Sequence, residues 1–234
     1  MFPVGVLAGG LGTRLRDVTG DSLPKAMVVV DDRPFIDHKL AELRDGGAHT
    51  VVVLLGHGAD AIRAHVGDGS AFGLDVSYLE DGPELLGTGG AIVRALPRLG
   101  SQFWVTYGDT LLDVDVPRAE AVFARSGALA LMTVLENDDR WEPSNVVVRG
   151  ERVAAYAKTP RPPGARHIDY GMLLFDARAF APRDLGERFD LAQLLSGLAA
   201  DDELAAFTVT ERFRDIGTPD ALRDTEAWLR RRRS

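Results

Sequence analysis

The chain of 234 residues contains no cysteine. That excludes disulfides, thiolate zinc sites and thiol nucleophiles. No apolar run approaches the ~18 residues of a membrane span. The start, Met1-Phe2-Pro3-Val4-Gly5-Val6-Leu7, lacks the basic opening of a secretory leader. The expectation is a soluble cytoplasmic protein with no membrane partner. Positive charge is in deficit: 27 Lys and Arg stand against 35 Asp and Glu, a net −8. A nucleic-acid binder would carry a basic surface, so nucleic acid is not an expected partner, while a local basic pocket for a small anion stays compatible with the count. Five histidines, His38, His49, His57, His65 and His167, show no H-E-x-x-H or paired-ligand spacing, which argues against zinc. What remains is an ordinary globular mix, 45% hydrophobic and 26% charged, too apolar for a disordered chain.

Short β-rich runs alternate with helical patterns. Val4–Ala8, Ala26–Val30, Val51–Leu55, Leu74–Leu79, Phe103–Tyr107, Leu129–Leu135 and Ile168–Phe175 read as strands. Pro34–Arg44, Ala59–Val66, Gly89–Leu96 (stopping before Pro97), Pro117–Arg125 and Asp190–Leu198 read as helices. Val146–Val153 reads as a hairpin around Gly150, and Thr159–Arg166 as a surface loop. A last helix has Thr218 as N-cap, Pro219 at its first position and Asp220 in its first turn. Its end, Arg230–Arg233, reads as a solvated helix terminus or an anion arm. The alternation predicts an α/β fold, a mostly parallel Rossmann-like sheet flanked by helices, with a small β-rich insertion. There is no internal repeat, linker or clear domain boundary, so the expectation is one domain, 1–234. Ligands of such sheets bind beyond the carboxyl ends of the strands.

The first such end carries Gly9-Gly10-Leu11-Gly12-Thr13-Arg14-Leu15. Glycines there let backbone amides approach an anion, and Arg14 adds a fork suited to phosphate oxygens. Ten residues on comes Leu23-Pro24-Lys25-Ala26-Met27, with Lys25 at the mouth of the next strand. A P-loop would need Gly-Lys-Ser/Thr at a fixed offset, and no lysine sits there. The dinucleotide fingerprint G-x-G-x-x-G starts at Gly10 and Gly12 but meets Leu15 where its third glycine belongs, which disfavours a dehydrogenase.

At these residues the chain resembles the sugar-1-phosphate nucleotidyltransferases. Their signature L-A-G-G-x-G-T-R-L followed by x-P-K-x-[ML] corresponds to Leu7 through Leu15 and to Leu23 through Met27. The resemblance continues at Leu86-Gly87-Thr88-Gly89-Gly90-Ala91, at Gly108-Asp109-Thr110 and at Phe213-Arg214-Asp215-Ile216-Gly217-Thr218-Pro219. The nearest subgroup resembles the heptose-1-phosphate guanylyltransferases, with the N-acetylmuramate-1-phosphate uridylyltransferases also near. The resemblance implies the nucleotide-diphospho-sugar transferase fold. It makes residues 1–135 mainly nucleotide-binding and 136–234 mainly acceptor-binding with a closing helix. The reaction implied is attack by a phosphate-monoester oxygen on the α-phosphorus of a nucleoside triphosphate, with loss of pyrophosphate. Such chemistry needs positioning and charge neutralisation rather than a covalent protein group.

By the same resemblance, Arg14 holds the triphosphate and Lys25 bridges attacking and attacked phosphates. Asp109 and Asp215 supply hard oxygen ligands to Mg²⁺, and Asp109 counts with Arg14 and Lys25 as catalytic. Without the resemblance, Asp109 in a Gly-Asp-Thr turn reads as a side-chain–backbone turn bond. Leu7, Ala8, Gly9, Gly10, Gly12, Thr13, Gly87 and Thr88 are expected at the nucleotide, with the glycines of the second motif letting a base lie against the backbone. Glu80 is a candidate acceptor for guanine N–H groups, with Glu84 as a substitute, so GTP is favoured while UTP and CTP stay open. On the acceptor side, Lys158 is retained and expected at the acceptor phosphate, with Asn145, Asp169 and Gly171 beside it. Ala157 stands where the family has a sugar-binding carboxylate, Pro143-Ser144-Asn145 replaces a Tyr-Gly, and Asp169-Tyr170-Gly171 replaces an Asn-x-Gly. The acceptor therefore stays open between a sugar 1-phosphate and a cyclitol phosphate, phosphocholine or phosphonate. A non-catalytic nucleotide-sugar sensor is the other reading, and a sensor has no need of both metal carboxylates. The chain ends soon after Asp215, which suggests a stand-alone catalytic domain. A homo-oligomer is compatible with all of this.

Overall fold

The computed structural model describes residues 1–9, 24–56, 58–80, 82, 86–181 and 187–233. Thirteen strands are present among them: β1 (Val4–Leu7), β2 (Val29–Val30), β3 (Arg33–Pro34), β4 (Thr50–Leu55), β5 (Asp75–Glu80), β6 (Gln102–Tyr107), β7 (Thr110–Leu111), β8 (Ala130–Glu136), β9 (Val146–Arg149), β10 (Arg152–Tyr156), β11 (His167–Asp176), β12 (Leu204–Val209) and β13 (Arg214–Asp215). Nine of them form one sheet in the order β5-β4-β1-β6-β11-β8-β12-β10-β9. Its first four strands are parallel. Beyond β6 the sheet is mixed: β11 runs antiparallel to both neighbours, β12 is parallel to β8, and β10 and β9 are antiparallel. The expectation of a mostly parallel sheet thus holds for the first half only. The β9–β10 hairpin lengthens the sheet at its edge instead of standing apart as an insertion.

Alternation along each strand sends side chains to two helical layers. Val51, Val53 and Leu55 join Ile36 and Leu40 of the helix Phe35–Asp45 and Ile62 of the helix Ala59–Val66. Val52 and Leu54 face Ile92 and Ala95 of the helix Gly87–Leu99 and, further along the sheet, the helix Leu191–Ala200 packs there too. Both faces of β1, β4 and β6 are largely buried, which is why their sequences read as nearly continuous apolar runs, while the edge strand β5 is half-exposed. A third, smaller cluster joins Val28, Val30, Phe35, Leu111 and Ile216 to the C-terminal helix Pro219–Arg233.

Two local expectations change. The run Ala26–Val30 is not a strand of the main sheet. Lys25–Met27 makes a 3₁₀ turn, and Val29–Val30 pairs only with Arg33–Pro34. The two-residue loop between them, Asp31-Asp32, has φ of 48° and 67°, the type I′ geometry that closes a tight hairpin. Asp-Asp carries a weaker hairpin signal than Asn-Gly. The helix predicted to stop before Pro97 runs on to Leu99. Val93, whose carbonyl loses its partner to the proline ring, is 41% exposed, so water can replace that bond.

The chain lays β1, β4 and β5 side by side, then returns to place β6 on the other side of β1. That reversal opens a crevice beyond the carboxyl ends of β1 and β6. The segments leaving those ends begin with Ala8-Gly9 and Gly108-Asp109.

Candidate active site

Three backbone segments meet at the crevice. The Gly108 amide donates to the Leu7 carbonyl at 3.0 Å, and the Ala8 amide to the Leu54 carbonyl at 2.9 Å. Gly56, after β4, lies so close to Gly9 that a Cβ on it would meet the Gly9 carbonyl oxygen at 2.8 Å. Gly9 therefore serves chain packing as well as access.

Lys25, lifted by its 3₁₀ turn, donates to Asp109 Oδ2 at 2.5 Å, with the lysine side chain 14% exposed. The other oxygen, Oδ1, accepts from the Thr110 hydroxyl at 3.1 Å. Asp109 thus binds a cation rather than closing a backbone turn. Asp215 sits across the ribbon β7–β13, paired with Thr110, and the Ile216 amide donates to the Asp109 carbonyl at 3.2 Å. One Asp215 oxygen accepts from the Gly217 amide at 2.7 Å. The two carboxylates and the ammonium stand together: a Cβ on Gly217 would lie 2.9 Å from Asp215 Oδ1 and 3.5 Å from Lys25 Nζ. Among the described residues no three carboxylate or imidazole groups form a self-sufficient metal cage. Asp109, in the turn just before β7, and Asp215, in β13 beside it, are hard oxygen donors that fit a Mg²⁺ keeping waters and borrowing phosphate oxygens.

This cluster lies between two cavities. The smaller, about 260 Å³, is walled by Leu7, Ala8, Gly9, Leu54, Gly87 and Thr88, among others. The larger, about 650 Å³, is lined by Trp141, Asp169, Gly171, Arg212, Phe213 and Asp215, among others. Lys25, Tyr107 and Asp109 face both. Tyr107 escaped the sequence reasoning, although its place just before Gly-Asp is a usable signal. Burial, reinforced by Asp169, Asp190 and Asp109, pushes its phenol well above the ordinary range. The hydroxyl therefore stays protonated and can only donate to an anion.

In the larger cavity Asp169 Oδ1 accepts from the Gly171 amide at 3.0 Å and Oδ2 from the Tyr156 hydroxyl at 3.4 Å. Burial raises its carboxyl above the usual range, partly offset by those donors. Gly171 has φ of +96°, a conformation other side chains rarely adopt. It lies against the Tyr107 ring, 3.5 Å from where a Cβ would stand. The Asn145 side chain accepts from the Asp169 amide at 3.0 Å, so it holds the Asp169 segment rather than lining either cavity. The Tyr170 hydroxyl accepts from the Asp113 amide at 3.0 Å, and burial pushes that phenol up to about 12.

Other expected residues are held elsewhere. Lys158 makes a two-pronged ion pair with Asp190, at 3.0 and 2.9 Å, outside both cavity walls. Burial of Asp190 is outweighed by Lys158 and by the Ala192 amide that it caps, so its carboxyl falls below its ordinary range. Thr88 bridges to the same place, accepting from the Leu191 amide at 2.8 Å. Glu80 is bound by Arg63 at 2.6 Å and does not line the smaller cavity. Of the glycines after Leu86, Gly87 lines the smaller cavity, whereas Gly89 and Gly90 are packed under other chain. A Cβ on Gly89 would stand 2.1 Å from the Phe189 ring, and one on Gly90 would stand 2.5 Å from the Glu187 carbonyl. The segment 187–189 crosses directly over them, a long-range contact that no local motif announces. Gly10, Gly12, Thr13, Arg14 and Glu84 lie outside the described residues.

A family model for nucleotidyl transferases matches residues 4–231. The D-glycero-alpha-D-manno-heptose 1-phosphate guanylyltransferase of Aneurinibacillus thermoaerophilus is 30% identical over 230 residues, 96% of each chain. The N-acetylmuramate alpha-1-phosphate uridylyltransferase of Neisseria meningitidis is 28% identical, covering 95% of this chain and 96% of that one. The crystal structure of HddC from Yersinia pseudotuberculosis complexed with GMP-PN superimposes with a TM-score of 0.81 at 27% identity, over 98% of this chain and all of that one.

Proposed function

The chain belongs to the nucleotidyl transferase family, and from that premise we propose that it transfers a nucleoside monophosphate from a triphosphate to a sugar 1-phosphate, releasing pyrophosphate and forming a nucleoside-diphosphate sugar. The observation that carries the reading is the position of the Lys25–Asp109 pair in the wall shared by two cavities. Reactants seated in the two cavities would bring their phosphates together at that wall. The base and ribose take the smaller cavity, beside Leu7, Ala8, Gly9, Gly87 and Thr88. The acceptor takes the larger one, against Asp169 and Gly171.

An acceptor phosphate oxygen attacks the α-phosphorus, a new P–O bond forms, and the bond to the β-phosphate oxygen breaks in line. Lys25 lies where it can neutralise both phosphates, and the Tyr107 hydroxyl can donate to either. Arg14, next to the first glycine run, is assigned to the departing pyrophosphate. Lys158 leaves Asp190 to meet the acceptor phosphate. Asp109 and Asp215 are assigned to Mg²⁺, which when bound supplies charge neutralisation at the reacting phosphates. Guanine is favoured because heptose-phosphate guanylyltransferases are among the relatives across nearly the whole chain. Glu80 supports that choice less, since it already holds Arg63. The cytoplasm, which supplies nucleoside triphosphates, is the fitting compartment.

The test is pyrophosphate release from GTP, UTP, CTP, dTTP and ATP, each with a panel of sugar 1-phosphates, inositol phosphate and phosphocholine. Release with GTP and a sugar 1-phosphate is expected. Nucleotide binding without turnover on any acceptor would favour the sensor reading instead.

A further inference from the structure

The helix Phe35–Asp45 buries Phe35, Ile36, Leu40 and Leu43, and among them an ion pair. Lys39 has no exposed side-chain surface, Glu42 is 21% exposed, and the two meet at 2.6 Å. Lysine is almost never fully buried unless paired. A buried pair is poor evidence for stability, because apolar residues of similar volume usually serve as well. The second Glu42 oxygen shows what an apolar pair would lack. It accepts from the Leu112 amide at 2.6 Å, 70 residues away in the chain.

Leu112 lies three residues after Asp109, and the next amide, Asp113, is held by the Tyr170 hydroxyl at 3.0 Å. Two successive amides are thus tethered, one to a helix and one to β11. Between them and Asp109 runs β7, which pairs with β13 and so with Asp215. The placement of Leu112 therefore bears on the ribbon that carries Asp215 past Asp109. A carboxylate accepting an amide makes a stronger and shorter bond than a neutral acceptor, and Lys39 orients it. Burial raises the Glu42 carboxyl above its ordinary range, countered by Lys39 and the Leu112 amide.

We propose that Glu42, oriented by Lys39, is a positioning residue that fixes the Leu112 amide and thereby holds Asp109 and Asp215 at the spacing a divalent cation needs. The proposal rests on the metal assignment of those two aspartates made above. Neither Lys39 nor Glu42 lines either of the two cavities.

Two double substitutions separate the tether from the charge. K39M/E42Q keeps an acceptor for Leu112 without a buried charge, and K39M/E42L keeps only volume. Mn²⁺ alone is titrated into each full-length protein and read by electron paramagnetic resonance. Leu112 amide exchange and thermal unfolding are measured in parallel. K39M/E42Q should bind Mn²⁺ within about twofold of wild type, while K39M/E42L should bind at least about tenfold more weakly, the usual effect of losing a group that orients a metal ligand. Leu112 should exchange fast only in K39M/E42L, with its melting temperature retained. Wild-type Mn²⁺ affinity in K39M/E42L overturns the proposal, as does equal weakening in both variants. Failure of K39M/E42L to fold does the same, since it makes the pair a stability element. Asp109→Asn is the control: if it leaves Mn²⁺ binding intact, the metal assignment fails, not the tether.

Discussion

Lys25 and Asp109 are 84 positions apart in the chain and 2.5 Å apart in space. One comes from a 3₁₀ turn after Pro24, the other from the turn that follows a central strand, two residues past its end at Tyr107. Their contact puts a cation and a carboxylate in the wall between the two cavities, where the proposed reaction would bring phosphates together. At rest each neutralises the other, so neither is left as an unpaired, half-buried charge. A phosphate entering at that point can take over Lys25, and a divalent ion can take over Asp109.

Lys25→Ala should lower kcat about a hundredfold, roughly 2.7 kcal/mol of transition-state stabilisation. The nucleotide KM should move much less. Steady-state kinetics decide the role: a change confined to KM would make Lys25 a plain binding group.

Lys158→Ala should weaken acceptor binding about tenfold or more, as expected for loss of a charge-assisted phosphate contact, and leave nucleotide binding near normal. Calorimetric titration with each substrate separates the two. Weakened nucleotide binding with unchanged acceptor binding would refute the assignment. Its ion pair with Asp190 is half exposed and should contribute little to stability.

Gly89→Ala should destabilise the fold by about 1–3 kcal/mol, the usual cost of forcing a methyl group into a filled space. The added Cβ would stand 2.1 Å from the nearest Phe189 ring carbon. A melting temperature lowered by Gly89→Ala in the wild type but not when the same change is made in a Phe189→Ala background would establish the contact. An unchanged melting temperature in Gly89→Ala would show that the segment is not packed there.

Asp169 gives a pH signature. Its carboxyl is raised in the folded chain by burial, so between the ordinary carboxylate pKa and the raised value the folded state binds more protons than the unfolded one. Stability contributed by this group is therefore lost as pH rises through that window. Asp169→Asn removes the slope. The wild type's stability relative to this variant should fall from acid toward neutral pH, measured as melting temperatures across the series. Parallel curves would show that Asp169 does not titrate abnormally.

Much of the architecture was legible in the sequence because it is locally encoded. Apolar runs with both faces buried marked β1, β4 and β6, and Gly150 marked the β9–β10 turn. Thr218 caps the last helix as its position suggested, accepting from the Ala221 amide at 3.2 Å. The Asp31-Asp32 hairpin and the continuation of the helix through Pro97 carry no clear local signal, one because its turn chemistry is unusual, the other because the freed carbonyl belongs to a solvent-facing turn.

The sequence by itself determined the chemistry available: strands ending in glycine, one lysine after proline, and aspartates at two later strand ends. Those features follow from residue type and short-range spacing. Only the tertiary structure decided who meets whom. It put Lys25 against Asp109, Phe189 over Gly89, Lys158 with Asp190, and Glu42 beneath Leu112. Each of these contacts joins segments far apart in the chain. A strand or a cap is set by neighbours a few residues away, whereas these pairings exist only because the sheet order brings distant strand ends and helices to one edge.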